Sequence, residues 1–254
     1  MKVLVATGRG GTGKTSFVGM MTKYFIEKGS APMLLVDVDP DQNLAEMVGV
    51  DLEWEGVKTI AELVTETFIK KGGTSVGIPP TERIESSIFE NGLYEGDSFD
   101  LMAVGTKWIE GCYCLPDEAL KGALQSLSKN YKYVLIDSPA GLEHLNRKIM
   151  PQVNDIFDVM GPSNKSFENV KRSHKIIQDI KIGFDHFYTV GGCLFPAELE
   201  RVAEERTGRP YLGKIDFDPL VQESVIAGKS LLDILSDSRA YLSVKRLMEK
   251  AGYA

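Results

Sequence analysis

The chain has only three cysteines in 254 residues, too few and too unevenly spaced for a disulfide framework, so a reducing cytoplasm is the expected compartment. Basic surplus is also lacking: 29 Lys and Arg against 36 Asp and Glu leave a net charge of −7. Non-specific binding to nucleic acid needs cations to neutralise phosphates, so no nucleic-acid partner is expected. No apolar run approaches the length of a membrane span, so no membrane partner is expected either. A charged-then-apolar leader is not apparent, since Val3 onward already reads as a core strand. Repeats and low-complexity tracts are missing too. What remains is an ordinary globular composition, 43% hydrophobic and 26% charged, long enough for one α/β domain spanning 1–254.

The most informative stretch is Gly8-Arg9-Gly10-Gly11-Thr12-Gly13-Lys14-Thr15-Ser16, directly after the apolar run Val3–Ala6. It fits G-x-x-x-x-G-K-[ST] between a strand and a helix, the context that makes the pattern a phosphate loop. The glycines let backbone N–H groups close around a phosphate where a side chain would block approach. Lys14 is placed to reach the β- and γ-phosphates, Thr15 suits Mg²⁺, and the following helix turns its N-terminus to the anion.

Apolar strand-like runs alternate with helical patterns along most of the chain, predicting a doubly wound, mostly parallel sheet with helices on both faces. Strands are expected at Lys2–Ala6, Met33–Asp37, Asp100–Val104, Tyr133–Asp137, Ile156–Met160, His186–Val190 and Tyr211–Ile215. Helices are expected at Lys14–Lys28, Ile60–Ile69, Asp117–Ser128, Ser166–Asp179, Ala197–Thr207 and from Ser238 to about Ala251. Residues 70–97 carry Gly, Pro and Ser without periodicity and read as an irregular insertion with room for a short helix. The end helix, with Tyr241, Val244, Leu247, Met248 and Ala251 on one side, suits a core-facing helix better than a membrane-surface anchor.

Two acidic turns follow strands: Asp37-Val38-Asp39-Pro40 and Asp137-Ser138-Pro139-Ala140-Gly141. Ligands in open α/β sheets sit at the carboxyl ends of strands, so both turns should face the phosphate loop. Asp137 fits a Mg²⁺ ligand, Gly141 a backbone donor to a γ-phosphate, and Asp39 a carboxylate that orients attacking water. Either aspartate alone would read as a turn former or helix cap. Cys112-Tyr113-Cys114 is the other distinctive feature, on a loop marked by Gly111 and Pro116. Two thiolates at i, i+2 can address one soft ion, and a twofold dimer would supply four. Zn²⁺, Ni²⁺ and an iron–sulfur cluster all suit four thiolates; an ordinary or redox-active pair is the simpler alternative.

The loop and the two acidic turns, in this order, resemble the deviant Walker A ATPases, the family of MinD and ParA proteins, the nitrogenase iron protein and nickel-insertion ATPases. The resemblance implies ATP and Mg²⁺ as cofactors, a dimer closing on nucleotide, and a cation inside the loop that reaches the partner's nucleotide. The family has lysine there and this chain has Arg9, which keeps the charge and can fork onto two phosphate oxygens. An asparagine expected near Gly192 for reading the base is missing, and Phe217-Asp218-Pro219 resembles the family's other base-side loop. Cys193 reads as a core thiol beside it. With Cys-x-Cys and Gly141-Leu142-Glu143-His144-Leu145, the chain looks like the CooC/AcsF group. That group implies nickel, or zinc at the same site, and a nickel-enzyme client, carbon monoxide dehydrogenase or acetyl-CoA synthase. The other readings are a MinD/ParA-like positioning ATPase without metal and an iron–sulfur electron-transfer ATPase. His144 is an auxiliary ligand, a switch residue or a hydrogen-bonded structural histidine.

Overall fold

The computed structural model describes residues 1–66, 80–106, 114–139 and 152–254. Its strands are β1 (Lys2–Gly8), β2 (Met33–Asp37), β3 (Tyr94–Glu95), β4 (Phe99–Ala103), β5 (Tyr133–Asp137), β6 (Gln152–Met160), β7 (Gly183–Gly191) and β8 (Tyr211–Lys214). The helices are α1 (Lys14–Glu27), α2 (Asn43–Met47), α3 (Ile60–Thr65), α4 (Pro80–Asn91), α5 (Cys114–Leu127), α6 (Lys165–Asp179), α7 (Ala197–Thr207), α8 (Pro219–Ile226) and α9 (Arg239–Lys250). These strands form one sheet in the order β3-β4-β2-β5-β1-β6-β7-β8, parallel throughout except where the two-residue β3 pairs antiparallel with β4. The expected doubly wound sheet is what the chain forms.

Near-continuous apolar strands such as Met-Leu-Leu-Val in β2 and Val-Leu-Ile in β5 need cover on both faces, because alternate side chains point opposite ways. One face carries α3 to α7, with Ile60, Ile88, Leu124, Phe167 and Ala203 in its core. The other carries α1, α2, α8 and α9, with Phe17, Met21, Leu44, Val221 and Met248. The α9 stripe of Tyr241, Val244, Leu247 and Met248 is almost wholly buried against this second face, as its core-facing pattern requires. Burying each such side chain contributes roughly 1.5–3 kcal/mol.

The strand expectations differ from the structure chiefly in length. β6 and β7 begin three or four residues earlier than expected, at Gln152 and Gly183, because their opening turns hold polar residues that still pair in register. The helix expected from Asp117 begins at Cys114, since Pro116 in a first turn lacks only an N–H that would be unpartnered there. The stretch expected to be irregular contains a twelve-residue helix, α4. Two short helices next to the site, α2 and α8, carry too few residues to show a period.

Candidate nucleotide site

The ends of β1, β2 and β5 meet at the site, and β1 supplies its centre. β1 ends at Gly8, where φ is +137° and a Cβ would sit 2.4 Å from the Val159 carbonyl oxygen, so no other residue fits. Gly11 and Gly13 take left-handed φ values of +72° and +90°, and a Cβ at either would meet nothing within 4 Å. Open space therefore lies beside the loop at both positions. Gly13 caps α1 without any side-chain acceptor, and the first turn has no acidic residue, so the leading N–H groups of α1 are left for a ligand. The Thr12 hydroxyl and the Lys14 ammonium both donate to the Arg9 carbonyl, at 2.9 Å and 3.2 Å. Lys14 is buried inside the loop, whereas Arg9 and Gly10 are exposed on its outer side. Thr15 and Ser16 are half-buried, and the Ser16 hydroxyl points to Met47 Sδ at 3.7 Å.

Beside this loop the sheet register sets two carboxylates next to each other, Asp37 of β2 opposite Asp137 of β5, both fully buried. Asp37 accepts from the backbone N–H groups of Asp39 and Leu44, each at 2.9 Å, and so fixes the acidic turn that leads into α2. Burial and then the like charge of Asp137 push its carboxyl up to about 8. Burial likewise pushes Asp137 up to about 7, against the opposing pull of the nearby Thr15 hydroxyl and the Lys14 charge. Neither Asp137 oxygen completes a hydrogen bond of ordinary length and angle. A buried carboxylate with both oxygens orphaned, next to a hydroxyl and an ammonium, is a donor set that fits Mg²⁺ carried in with nucleotide phosphates. Asp39, half-buried on the same turn, accepts from Asp41 N–H at 3.1 Å, and its charge reaches both buried aspartates.

The sign of these shifts gives a testable pH dependence. Both carboxyls hold their protons more tightly folded than unfolded, so the stability they lend is full below the unfolded value near 4. It is lost as pH rises through about 7 and 8. The melting temperature of the nucleotide-free protein should fall between pH 6 and pH 9, and Asp137→Asn should flatten that fall in a calorimetric series. An unchanged slope in the variant contradicts the assignment.

On the other side of α1, a cavity of about 360 Å³ lies between the phosphate loop and α8. Gly13, Ser16 and Met20 form one wall, and Cys193, Phe217 and Val221 stand opposite. Asp218 caps α8 through the Leu220 N–H at 3.0 Å and accepts from the Ser238 hydroxyl at 2.6 Å, with Pro219 opening the helix. Burial would raise the Asp218 carboxyl, yet these hydrogen bonds hold it below its ordinary value. Phe217 and Asp218 thus line this cavity, Phe217 contributing an exposed ring and Asp218 the scaffold.

Three contributors escape sequence reasoning. Asp37 looks like the strand's last residue and is the clamp of the turn. Asp158 in β6 is a fully buried carboxylate pushed up to about 6 by burial, with the Ser173 hydroxyl and the Lys14 charge opposing. Gly192 lies so close to the loop that a Cβ would stand 2.3 Å from the Thr12 carbonyl oxygen. Cys112, Gly141 and His144 lie outside the described residues, and only the backbone of Cys114 lies within them. Among the described residues no group of three or more His, Cys, Asp or Glu side chains gathers as a metal centre. Among them, too, no helix is long and apolar enough to cross a membrane.

Residues 1–186 match the AAA_31 family, described as an AAA domain. The chain belongs to that family. This AAA-domain chain is 29% identical to an uncharacterised ATP-binding protein of Methanocaldococcus jannaschii, over 98% of the chain and 97% of the relative. It is 28% identical to the carbon monoxide dehydrogenase accessory protein CooC of Rhodospirillum rubrum, over 99% of the chain and 98% of that protein. Among solved structures it superposes on a ParA family ATPase from Chlorobium tepidum with a TM-score of 0.73. That superposition covers 100% of this chain and 99% of the other at 15% identity, so it speaks for the fold alone.

Proposed function

We propose that this chain is an ATP-hydrolysing switch that works as a homodimer and carries nickel to a client enzyme, carbon monoxide dehydrogenase or acetyl-CoA synthase. In this reading Lys14 and the loop amides hold the phosphates, Thr15 and Asp137 hold Mg²⁺, and Asp39 orients the attacking water. Gly141 adds a backbone donor at the γ-phosphate, and Arg9, exposed on the rim, reaches the partner's nucleotide. Two facing copies of Cys112 and Cys114 hold nickel, with zinc able to take the same four thiolates.

One hydrogen bond carries the link between the two activities. The Thr106 hydroxyl, six residues before Cys112, donates to the Pro40 carbonyl at 2.6 Å. Pro40 follows Asp39 in the turn clamped by Asp37, so Thr106 is tied to the turn beside the phosphate loop. The Val104 N–H adds a second tie, donating to the Asp37 carbonyl at 2.8 Å. A shift of the turn on loss of a γ-phosphate would therefore be felt in the cysteine segment. Full-length similarity to a protein named as a carbon monoxide dehydrogenase accessory supports nickel as the cargo.

Metal analysis and calorimetry test this directly. Purified protein should bind about one Ni²⁺ per dimer, more tightly with ATP than without. Cys112→Ala/Cys114→Ala should lose the metal and keep its nucleotide affinity. Cysteine substitutions without effect, together with binding to DNA or lipid, would instead establish a positioning ATPase. Brown protein with visible absorbance from anaerobic purification would establish an iron–sulfur protein.

A further inference from the structure

The cavity beside Gly13 and Ser16 has apolar walls and very little free polar chemistry. Asp218 is committed to Ser238 and to its own helix. Asp216 is paired with Arg246 at 3.0 Å. The end of β7 cannot carry a reading side chain, because a Cβ on Gly192 would collide with the Thr12 carbonyl oxygen at 2.3 Å. Gln222 is different. It lines the cavity from α8, is exposed, and its amide makes no hydrogen bond among the described residues.

We propose that Gln222 reads the edge of the base and that the site accepts adenine and guanine nucleotides alike. The inference rests on the nucleotide-site reading and specifies its substrate class. An amide carries one acceptor oxygen and a two-donor nitrogen, and rotation about its last torsion exchanges their places. One orientation matches adenine, which offers an N6 donor beside an N1 acceptor. The other matches guanine, which offers an O6 acceptor beside an N1 donor. The exposed ring of Phe217 at the mouth favours neither purine, since stacking needs only a π-face. Glutamate would remove the ambiguity: a carboxylate has acceptors only, which suit the N1–H and N2–H groups of guanine and repel the adenine N1 lone pair.

Isothermal titration of the full chain with Mg-ADP and with Mg-GDP tests the assignment, on wild type, Gln222→Glu and Gln222→Leu. Because Gln222 is exposed, both variants should fold. In the wild type the two dissociation constants should agree within about tenfold, the span of one good edge contact. Gln222→Glu should move their ratio toward GDP by about tenfold or more, and Gln222→Leu should weaken both while leaving the ratio near one. A wild-type preference beyond about tenfold, which one contact committed to a single base already supplies, or a ratio that Gln222→Glu does not move, overturns the role of Gln222 and leaves the nucleotide site standing. If neither diphosphate binds wild type, the nucleotide reading falls and this assignment with it.

Discussion

Lys14→Ala should give a folded protein whose ATP hydrolysis is lower by about 10²–10³-fold, the usual cost of removing one preorganised charge donor from a transition state. The ammonium is buried in the loop and, among the described residues, donates only to the Arg9 carbonyl, 3.2 Å away, a single bond that incoming phosphates can replace. Its charge also opposes the rise that burial imposes on both Asp137 and Asp158. Removing it leaves two buried carboxyls with less reason to ionise, so the variant should take up protons at neutral pH as well as lose turnover. Folding should survive, because the Thr12 hydroxyl still donates to the Arg9 carbonyl. Steady-state phosphate release and a melting curve on the same sample separate the two effects. Turnover within about tenfold of wild type, far short of the loss expected for such a donor, would remove Lys14 from the mechanism.

The second large effect is expected from a residue with no side chain. Gly192→Ala places a methyl 2.3 Å from the Thr12 carbonyl oxygen and 3.1 Å from the Met160 carbonyl oxygen, and both are backbone. The Gly192 N–H donates to the Met160 carbonyl at 2.8 Å, which anchors the end of β7 to β6. The phosphate loop must therefore yield. A displacement of about 1 Å at such a loop costs about 10²-fold in rate or affinity. Gly161→Ala is the control: it approaches Thr12 from β6, but its methyl would meet the Thr12 side-chain methyl at 3.2 Å, which can give way. That variant should lose less than about tenfold, as expected for small shape changes that flexible groups absorb. Equal losses in the two variants, measured by calorimetric titration of ADP, would contradict this account of the loop's support.

These expectations also mark where the sequence could be read and where it could not. β1, β2 and β5 are buried on both faces, so their apolar runs announced themselves, and Asp137 at the end of β5 followed. The loop motif carried its own backbone requirement, and Gly8, Gly11 and Gly13 all have positive φ. What stayed hidden is chemistry made by juxtaposition. Asp37 and Asp137 are 100 positions apart and become neighbours only through the register of β2 against β5. Asp158 sits in a run of apolar residues and gives no sign of lying under Lys14's field. Gly192 appeared as a missing asparagine, when its lack of a side chain is what lets the loop approach. The cavity beside the phosphate loop draws its lining from Gly13 to Ala240, a span no local pattern can encode.

That span orders events during synthesis. The phosphate loop leaves the ribosome well ahead of α8, which closes the cavity, and of α9, which covers α1. At about 5–20 residues per second the loop waits roughly ten to forty-five seconds for them. Until then the apolar stripe of α1, including Phe17, Met21 and Phe25, lacks the part of its cover that Tyr241 and Met248 supply. The nascent chain therefore cannot close this cavity before α8 is made, and α1 is not fully covered before α9 follows.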